Sequence, residues 1–242
     1  RTTRQVSTTV EGENFIPIAQ RLVRDFDSAI YDLRATAERR SGHVSMAIVP
    51  SVASNLLPDI IKAFSAEYPG IYLHLDDDSS QGVQRRVERN EVDFGIASLW
   101  KPNKLLNFKP LFADKLELIC HVDHQLAKKT GPVKINELED TTFLDTGITK
   151  TLRSRASFGD SKFDFPNITT LLAMLRSNLG VSVLPSLAIP AFSNNLISRP
   201  LVPTQAREVY LITRKGWTVS PAAEAMIETI IRGTPSQIRK HN

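Results

Sequence analysis

The residue types that perform catalysis occur in this sequence, but their spacing does not assemble a catalytic site. Ser98 and Lys101 form an S-x-x-K pattern and residues 129–131 read K-T-G, two motifs of penicillin-binding enzymes. The serine of those enzymes opens a buried helix, whereas Pro102 follows Lys101 directly and disfavours a helix there. Neither a G-x-S-x-G elbow nor a glycine-rich phosphate loop occurs. We therefore expect no catalytic residue and a protein that is not an enzyme.

Potential metal ligands are also poorly arranged. His121 and His124 stand three residues apart at the end of a predicted strand, where such positions face opposite sides. The acidic run Asp76–Asp78 lies between a strand and a helix start and is typical of a solvated turn rather than a hard-cation site. The single cysteine, Cys120, excludes an internal disulfide and a cysteine-rich zinc site. We expect no metal, and no cofactor other than a small-molecule ligand.

Residues suited to ligand binding follow the predicted strands. Ligands of open α/β sheets bind beyond the carboxyl ends of the strands, and small hydroxyl residues beside helix N-termini suit a carboxylate there. For Ser79 and Ser80, helix capping alone and capping combined with ligand contact both remain open. The predicted ligand-binding residues are Pro50, Ser51, Val52, Ser79, Ser80, Gln81, Ala97, Ser98, Leu99, Thr146, Gly147 and Thr149.

Alternating strands and helices must position these residues. The apolar runs predict strands at 43–49, 71–75 and 92–97 with helices at 54–68 and 79–90, an order typical of a parallel α/β sheet. A second, similar unit is predicted from strands at 116–122, 142–144 and 207–213, helices at 169–178 and 221–232, and a short element at 133–138. The predicted fold class is therefore α/β.

A long helix is predicted before the first strand, from Glu13 to Arg40, with Pro17 in its first turn. It would measure about 40 Å over about 28 residues. Its apolar residues recur every three or four positions on one face, which predicts a linker or dimerisation helix. A helix packed on its own domain is the alternative. The residues expected at a dimer seam are Phe15, Ile18, Leu22, Phe26 and Leu33.

The composition is that of a globular protein of one large domain or two small ones. The chain has 242 residues, of which 41% are hydrophobic and 23% are charged. Its net charge of +4 permits a polyanionic partner without demonstrating one. Its apolar stretches fall short of the roughly 20 residues of a membrane span, and no signal-peptide pattern opens it. We expect a cytoplasmic location, no membrane partner, and, because the first residue is Arg1, a longer parent chain.

Five segments along nearly the whole chain, taken in order, carry a family pattern. They read RTTRQVSTTVEGENFIPIAQRLV, GHVSMAIVPSVASNLLPDIIKAFSAEYPGIYLHL, VERNEVDFGIA, LFADKLELICHVDHQLA and LLAMLRSNLGVSVLPSLAI. Each segment alone is only moderately specific. Their order and spacing together resemble those of the LysR-type transcriptional regulators.

The resemblance implies two Rossmann-like lobes of the type II periplasmic-binding-protein fold, preceded by a long linker helix. It implies a homodimer or homotetramer that binds DNA through an N-terminal winged helix-turn-helix, most of which is missing here, with Arg1 and Arg4 in the wing. The implied domains are a wing remnant at 1–12, a linker and dimerisation helix at 13–41, lobe I at 42–114 and 215–242, and lobe II at 115–214.

The resemblance also implies a function. A small-molecule effector, expected to be anionic, binds in the cleft between the lobes and shifts the oligomer, which repositions the DNA-binding heads and controls transcription. Ser51 and Val52 match the family's first-loop effector contacts, the helix start 79–81 matches a carboxylate-binding position, and Thr146 and Gly147 match the second-lobe rim. A periplasmic solute-binding protein is the alternative, although such a receptor has no use for the long helix.

Overall fold

The computed structural model describes residues 8–35, 41–147, 149, 161–189 and 195–234. Its helices are α1 (Val10–Ala35), α2 (Pro50–Asn55), α3 (Leu57–Glu67), α4 (Ser80–Glu88), α5 (Ile168–Arg176) and α6 (Pro221–Gly233). Its strands are β1 (Gly42–Ile48), β2 (Ile71–Asp77), β3 (Phe94–Ser98), β4 (Leu106–His121), β5 (Val133–Lys134), β6 (Leu144–Asp145), β7 (Phe163–Asp164), β8 (Ser182–Pro185) and β9 (Leu196–Arg214). None of these helices is both long enough and apolar enough to cross a membrane.

The chain divides into two compact units. The first comprises residues 1–48, 59–109 and 211–233, and the second comprises 49–58, 110–210 and 234–242. The segment 49–58, which we predicted to lie in lobe I, therefore groups with the second unit. It does so because Asn55 at the end of α2 donates a hydrogen bond to the carbonyl of Leu187, in a 3-10 helix of that unit.

The first unit is built on three parallel strands in the order β2-β1-β3. Val44, Met46, Ala47 and Ile48 of β1 are fully buried. Residues on both faces of β1 are covered, as expected for a central parallel strand, whose sequence is a continuous apolar run rather than an alternating one. This explains why the apolar runs alone predict the boundaries of β1 and β3 to within about two residues.

The second unit packs an apolar cluster on each face of the sheet β9-β4-β8. Leu118 and Cys120 of β4 belong to one cluster, while Ile119 between them belongs to the other. This alternation is the period of two that a strand imposes on its side chains. Helix α5 contributes Leu171 and Leu175 to the Ile119 cluster.

Helix and strand boundaries differ from the prediction where prolines intervene. The predicted helix 54–68 is two helices, because Pro58 has no N–H to donate to the preceding turn and the chain breaks at Leu56. Pro50 occupies the first turn of α2, where its missing N–H costs little. Strands β4 and β9 run far beyond the predicted 116–122 and 207–213, and both contribute residues to each unit.

Helix α1 begins earlier than predicted, at Val10. Thr9 accepts a hydrogen bond from the backbone N–H of Gly12 through its Oγ1 at 3.1 Å and so caps the helix. Pro17 therefore lies inside the helix and not in its first turn. Phe15, Leu22 and Phe26 of the predicted seam are 60–66% exposed and Ile18 is 50% exposed. The side chain of Leu33, the predicted helix end at 36–40, and Arg1 and Arg4 lie outside the described residues.

Another face of α1 does contact the first unit. Arg21 donates from Nη1 to the carbonyl of Asn90 and pairs with Asp25 at 3.1 Å. Its guanidinium lies 5.0 Å from the ring centre of Trp217, within the range of a cation–π contact. One face of α1 thus packs against the first unit, while the face that carries the predicted seam residues is exposed.

Cys120 provides a test of the second-unit core. Its side chain is fully buried, and burial raises the pKa of its thiol to about 11. We expect a disulfide reagent at pH 7.5 to label the native protein roughly a hundredfold more slowly than the protein in 6 M guanidinium, because only the thiolate reacts. Stopped-flow absorbance with Ellman's reagent measures both rates, and equal rates would show that this core is open.

Candidate functional site

A buried ion pair lies in the second unit beside Ser51, one of the predicted ligand-binding residues. Arg207 of β9 directs Nε and Nη2 to Oδ2 of Asp114 on β4, at 3.2 and 2.9 Å. Nη2 also donates to Ser51 Oγ at 2.6 Å. The side chains of Arg207 and Asp114 are 7% and 1% exposed, so water screens neither charge effectively. Ser51 is therefore held by a buried cation.

The second oxygen of Asp114 organises the neighbouring 3-10 helix, Ser186–Ala188. Oδ1 accepts hydrogen bonds from Ser186 Oγ at 2.7 Å and from the backbone N–H of Leu187 at 3.3 Å. Together with the two bonds from Arg207, these donors replace the water that the carboxylate loses on burial. The carboxylate thus links β4, β9 and the 3-10 helix, and Arg207 extends the link to α2.

The electrostatics of this cluster make Ser51 a hydrogen-bond donor. Burial lowers the pKa of the Arg207 guanidinium, while the adjacent Asp114 carboxylate opposes that shift by favouring the charged form. Since Ser51 Oγ accepts a bond from this cation, the hydroxyl hydrogen remains available, and no acceptor for it occurs among the described residues. Such a hydroxyl suits a ligand oxygen that carries negative charge. Val52, its neighbour, is fully buried, and Pro50 is half-buried.

The predicted residues after β6 form a self-contained turn in the second unit. Thr149 Oγ1 accepts a hydrogen bond from the N–H of Thr146 at 2.6 Å and donates to Asp145 Oδ1 at 2.9 Å. Thr149 is fully buried and Thr146 nearly so, whereas Gly147 is exposed. The hydroxyl of Thr149 is therefore used within the turn, and it positions Thr146 and Gly147.

In the first unit, the start of α4 is already occupied by the chain's own groups. Ser79 Oγ accepts a hydrogen bond from the N–H of Gly82 at 3.2 Å, and Asp78 Oδ1 accepts one from the N–H of Ser79 at 2.7 Å. A side chain at position 82 would collide with the Asp78 carboxylate and force it to move. Ser79 is thus a helix cap in this structure, with Ser80 half-buried and Gln81 exposed beside it.

The end of β3 carries the remaining predicted residues. Ala97 is buried, Ser98 is half-buried and Leu99 is 45% exposed. Helix α4 packs against this strand, and its Gln84 accepts a hydrogen bond through Oε1 from the backbone N–H of Lys101 at 3.3 Å. Gln84 was not among the predicted residues, because within a helical sequence it cannot be distinguished from an exposed polar residue.

A cavity in the first unit lies beside α1, and none of the predicted site residues lines it. Its lining includes Arg21, Arg24, His43 and Asp93. Burial, followed by the charge of Arg24, lowers the pKa of His43, and burial raises the pKa of Asp93, whose Oδ2 accepts a hydrogen bond from Ser45 at 2.8 Å. The cavity therefore belongs to the contact between α1 and its unit.

The two histidines considered as metal ligands are used in a turn. His121 Nδ1 accepts a hydrogen bond from the N–H of Asp123, and His124 Nδ1 accepts one from the N–H of Leu126, both at 3.2 Å. Across the described part of the chain, no three His, Cys, Asp or Glu side chains are grouped to hold a metal ion.

Asp114 and Arg207 were missed as candidates, although the sequence contained a signal for each. Asp114 alternates with Phe112 and Leu116, and Arg207 alternates with Val209 and Leu211, on strand faces that are buried. A charge on an apolar face requires a partner. The two residues are 93 positions apart in the chain, however, so the pairing itself could not be deduced from spacing.

Comparison with known proteins adds three findings. A family described as the LysR substrate binding domain matches residues 37–234. The uncharacterized HTH-type transcriptional regulator YbhD of Escherichia coli K12 is 31% identical over 243 residues, covering 96% of this chain and 76% of that protein. Among solved structures, the effector binding domain of QuiR in complex with shikimate has a TM-score of 0.71 at 17% identity, covering 79% of this chain and 96% of that one.

A second solved structure gives the same fold. The regulatory domain of CcmR from Synechocystis PCC6803, in complex with 2-PG, has a TM-score of 0.71 at 20% identity, covering 79% of this chain and 97% of that one. These likenesses confirm the predicted α/β fold of the type II periplasmic-binding-protein kind.

The buried ion pair generates a stability prediction. Asp114→Asn removes one charge and leaves Arg207 buried without its counterion, so we expect a loss of about 3–5 kcal/mol in the free energy of unfolding. The matched control is Glu67→Gln, which breaks the exposed pair between Glu67 and Arg232 (2.7 Å) and should cost about 1 kcal/mol or less. Urea denaturation followed by circular dichroism measures both, and equal losses would contradict the role given to Asp114.

Proposed function

Because the chain belongs to the LysR family of transcriptional regulators, we propose that it senses a small carboxylate effector through donors such as the Ser51 hydroxyl. A periplasmic solute-binding protein is not favoured by this family membership. The observation that supports a carboxylate ligand is the hydrogen bond from the buried Arg207 to Ser51 Oγ. This bond leaves the hydroxyl hydrogen of Ser51 for a ligand oxygen. Two structures of similar fold are consistent with this proposal, since QuiR is bound to shikimate and CcmR to 2-PG.

The remaining predicted contacts are part of the same proposal, unit by unit. In the second unit we assign effector contact to Pro50, Ser51, Thr146 and Gly147, with Thr149 and Val52 supporting them from within. In the first unit we assign it to residues 80–81 and 97–99, with Ser79 supporting the helix start as its cap. The assignment places hydroxyl and backbone donors, not carboxylates, toward the ligand.

The proposed mechanism is a population shift in an oligomer. An effector shifts an equilibrium between two arrangements only by its difference in affinity for them. We propose that this shift moves the subunits, and with them the winged DNA-binding domain to which the residues before α1 would belong, Arg1 and Arg4 contacting the DNA backbone. The proposal includes no catalytic step, in keeping with the relatives' role as transcriptional regulators. It also includes a cytoplasmic location, alongside the DNA.

Effector binding is tested with the chain itself. We expect at least one of benzoate, shikimate and 2-PG to raise its melting temperature, and benzamide to do less than benzoate because it lacks the negative charge. Calorimetric titration of Ser51→Ala should then show an affinity roughly tenfold to a hundredfold weaker. Ser54→Ala on the same helix, where the hydroxyl bonds only to the carbonyl of Pro50, is the control and should bind normally.

Oligomerisation is tested on α1. Leu22→Glu combined with Phe26→Glu places two charges per chain in the exposed apolar face, where burial at a seam would cost several kcal/mol. We expect analytical ultracentrifugation to show a smaller species than the wild type. Gln20→Glu, an exposed position of α1 outside the apolar stripe, should leave the sedimentation coefficient unchanged. An unaltered oligomer in the double variant would remove α1 from the interface.

A further inference from the structure

Gln84 has a buried side-chain amide whose oxygen is hydrogen-bonded and whose nitrogen is not. Its residue is 6% exposed, and Oε1 accepts the hydrogen bond from Lys101. Because a backbone N–H can only donate, this bond fixes which end of the amide is the oxygen. Nε2 is therefore the other end, and it is buried without a hydrogen-bond partner among the described residues.

Ser98 carries a second buried polar atom of the same kind. Its Oγ also has no hydrogen-bond partner in the described part of the chain. Ser98 is the last residue of β3, against which α4 packs, and the amide of Gln84 bonds to Lys101 three residues further on. Both atoms thus lie at the carboxyl end of β3, where ligands of α/β sheets bind.

The charges around this position do not oppose an anion. Asp78 accepts a hydrogen bond from the N–H of Ser79 and pairs with Arg86 at 3.2 Å, and Asp76 pairs with Arg86 at 3.3 Å. Arg86 also lies 3.4 Å from Glu91. Arg85 and Arg89 lie 4.0 Å from Asp78 and Glu91, respectively, so three arginines balance the carboxylates of Asp76, Asp78 and Glu91, while Asp77 is exposed to solvent. The unpaired groups beside them are then amide and hydroxyl donors.

We propose that Gln84 Nε2 and Ser98 Oγ bind a carboxylate oxygen of the effector, which makes Gln84 a specificity-determining residue. The assignment rests on the proposed function, since it names a contact for the same effector. The unpaired groups are mainly donors: Gln84 Nε2 offers two hydrogens and the Ser98 hydroxyl offers one. Of these two atoms, only the serine oxygen can also accept a hydrogen bond. A carboxylate oxygen satisfies such a set of donors, and leaving buried donors unsatisfied is unfavourable.

Gln84→Glu is the decisive variant. It keeps the oxygen that accepts from Lys101 and replaces the Nε2 donor with a second oxygen of nearly the same shape. We expect calorimetric titration with benzoate, shikimate and 2-PG to show at least tenfold weaker binding of whichever probes bind the wild type. The preference for benzoate over benzamide should reverse, because the benzamide N–H groups can donate to the new carboxylate.

Two further variants keep the outcome readable. Ser98→Ala removes one hydroxyl and little volume, so it should retain the native melting temperature and bind the probes roughly three- to tenfold more weakly. Gln205→Glu makes the same chemical change at a half-buried side chain whose amide donates to the carbonyl of Pro203, and it should bind the probes as the wild type does.

The result separates this inference from the proposed function. If Gln84→Glu and Ser98→Ala both bind with wild-type affinity while Ser51→Ala does not, the assignment is overturned and the effector proposal stands. The partner of Gln84 would then be an ordered water. Failure of every carboxylate to bind the wild type would overturn both.

Discussion

The pairing of Asp114 with Arg207 is the constraint on which the second unit depends. A buried ion pair contributes little net stability compared with apolar residues of the same volume, but removal of one partner is costly. Here the pair fixes the positions of the elements that it joins. Its hydrogen bonds reach β4, β9, the 3-10 helix Ser186–Ala188 and Ser51 at the start of α2. The segment 49–58 belongs to the second unit largely because its polar residues end in this network.

The same arrangement recurs on a smaller scale in the first unit. Asp78 is held by the N–H of Ser79 and by Arg86, and the absence of a side chain at Gly82 makes room for it. Asp78, like Asp114 in the second unit, is thus satisfied from within the chain. The groups left over are hydroxyls and an amide, which donate hydrogen bonds without adding charge. Under the proposed function, these donors bind a carboxylate without an exposed arginine or lysine.

The sequence predicted the family, the fold and the buried parallel strands, because apolar runs and family motifs are local patterns. It did not predict the full length of β9, since Pro200 and Pro203 interrupt the strand pattern and prolines usually mark a strand's end. Nor did it predict that α2 and α3 separate at Leu56. The central ion pair joins residues far apart in the chain, and only the folded structure brings them together. Ser79 was a candidate for both capping and ligand contact, and the structure shows its capping bond.

The contact of Arg21 with Trp217 has an optical consequence. The sequence contains two tryptophans, and the ring centre of Trp217 lies close to two guanidinium groups, those of Arg21 at 5.0 Å and Arg214 at 5.3 Å. An indole ring in contact with cations emits differently from one in free water. Arg21 belongs to α1 and Arg214 to β9, so the fluorescence of Trp217 reports, without any added dye, whether the long helix remains docked on the unit that follows it.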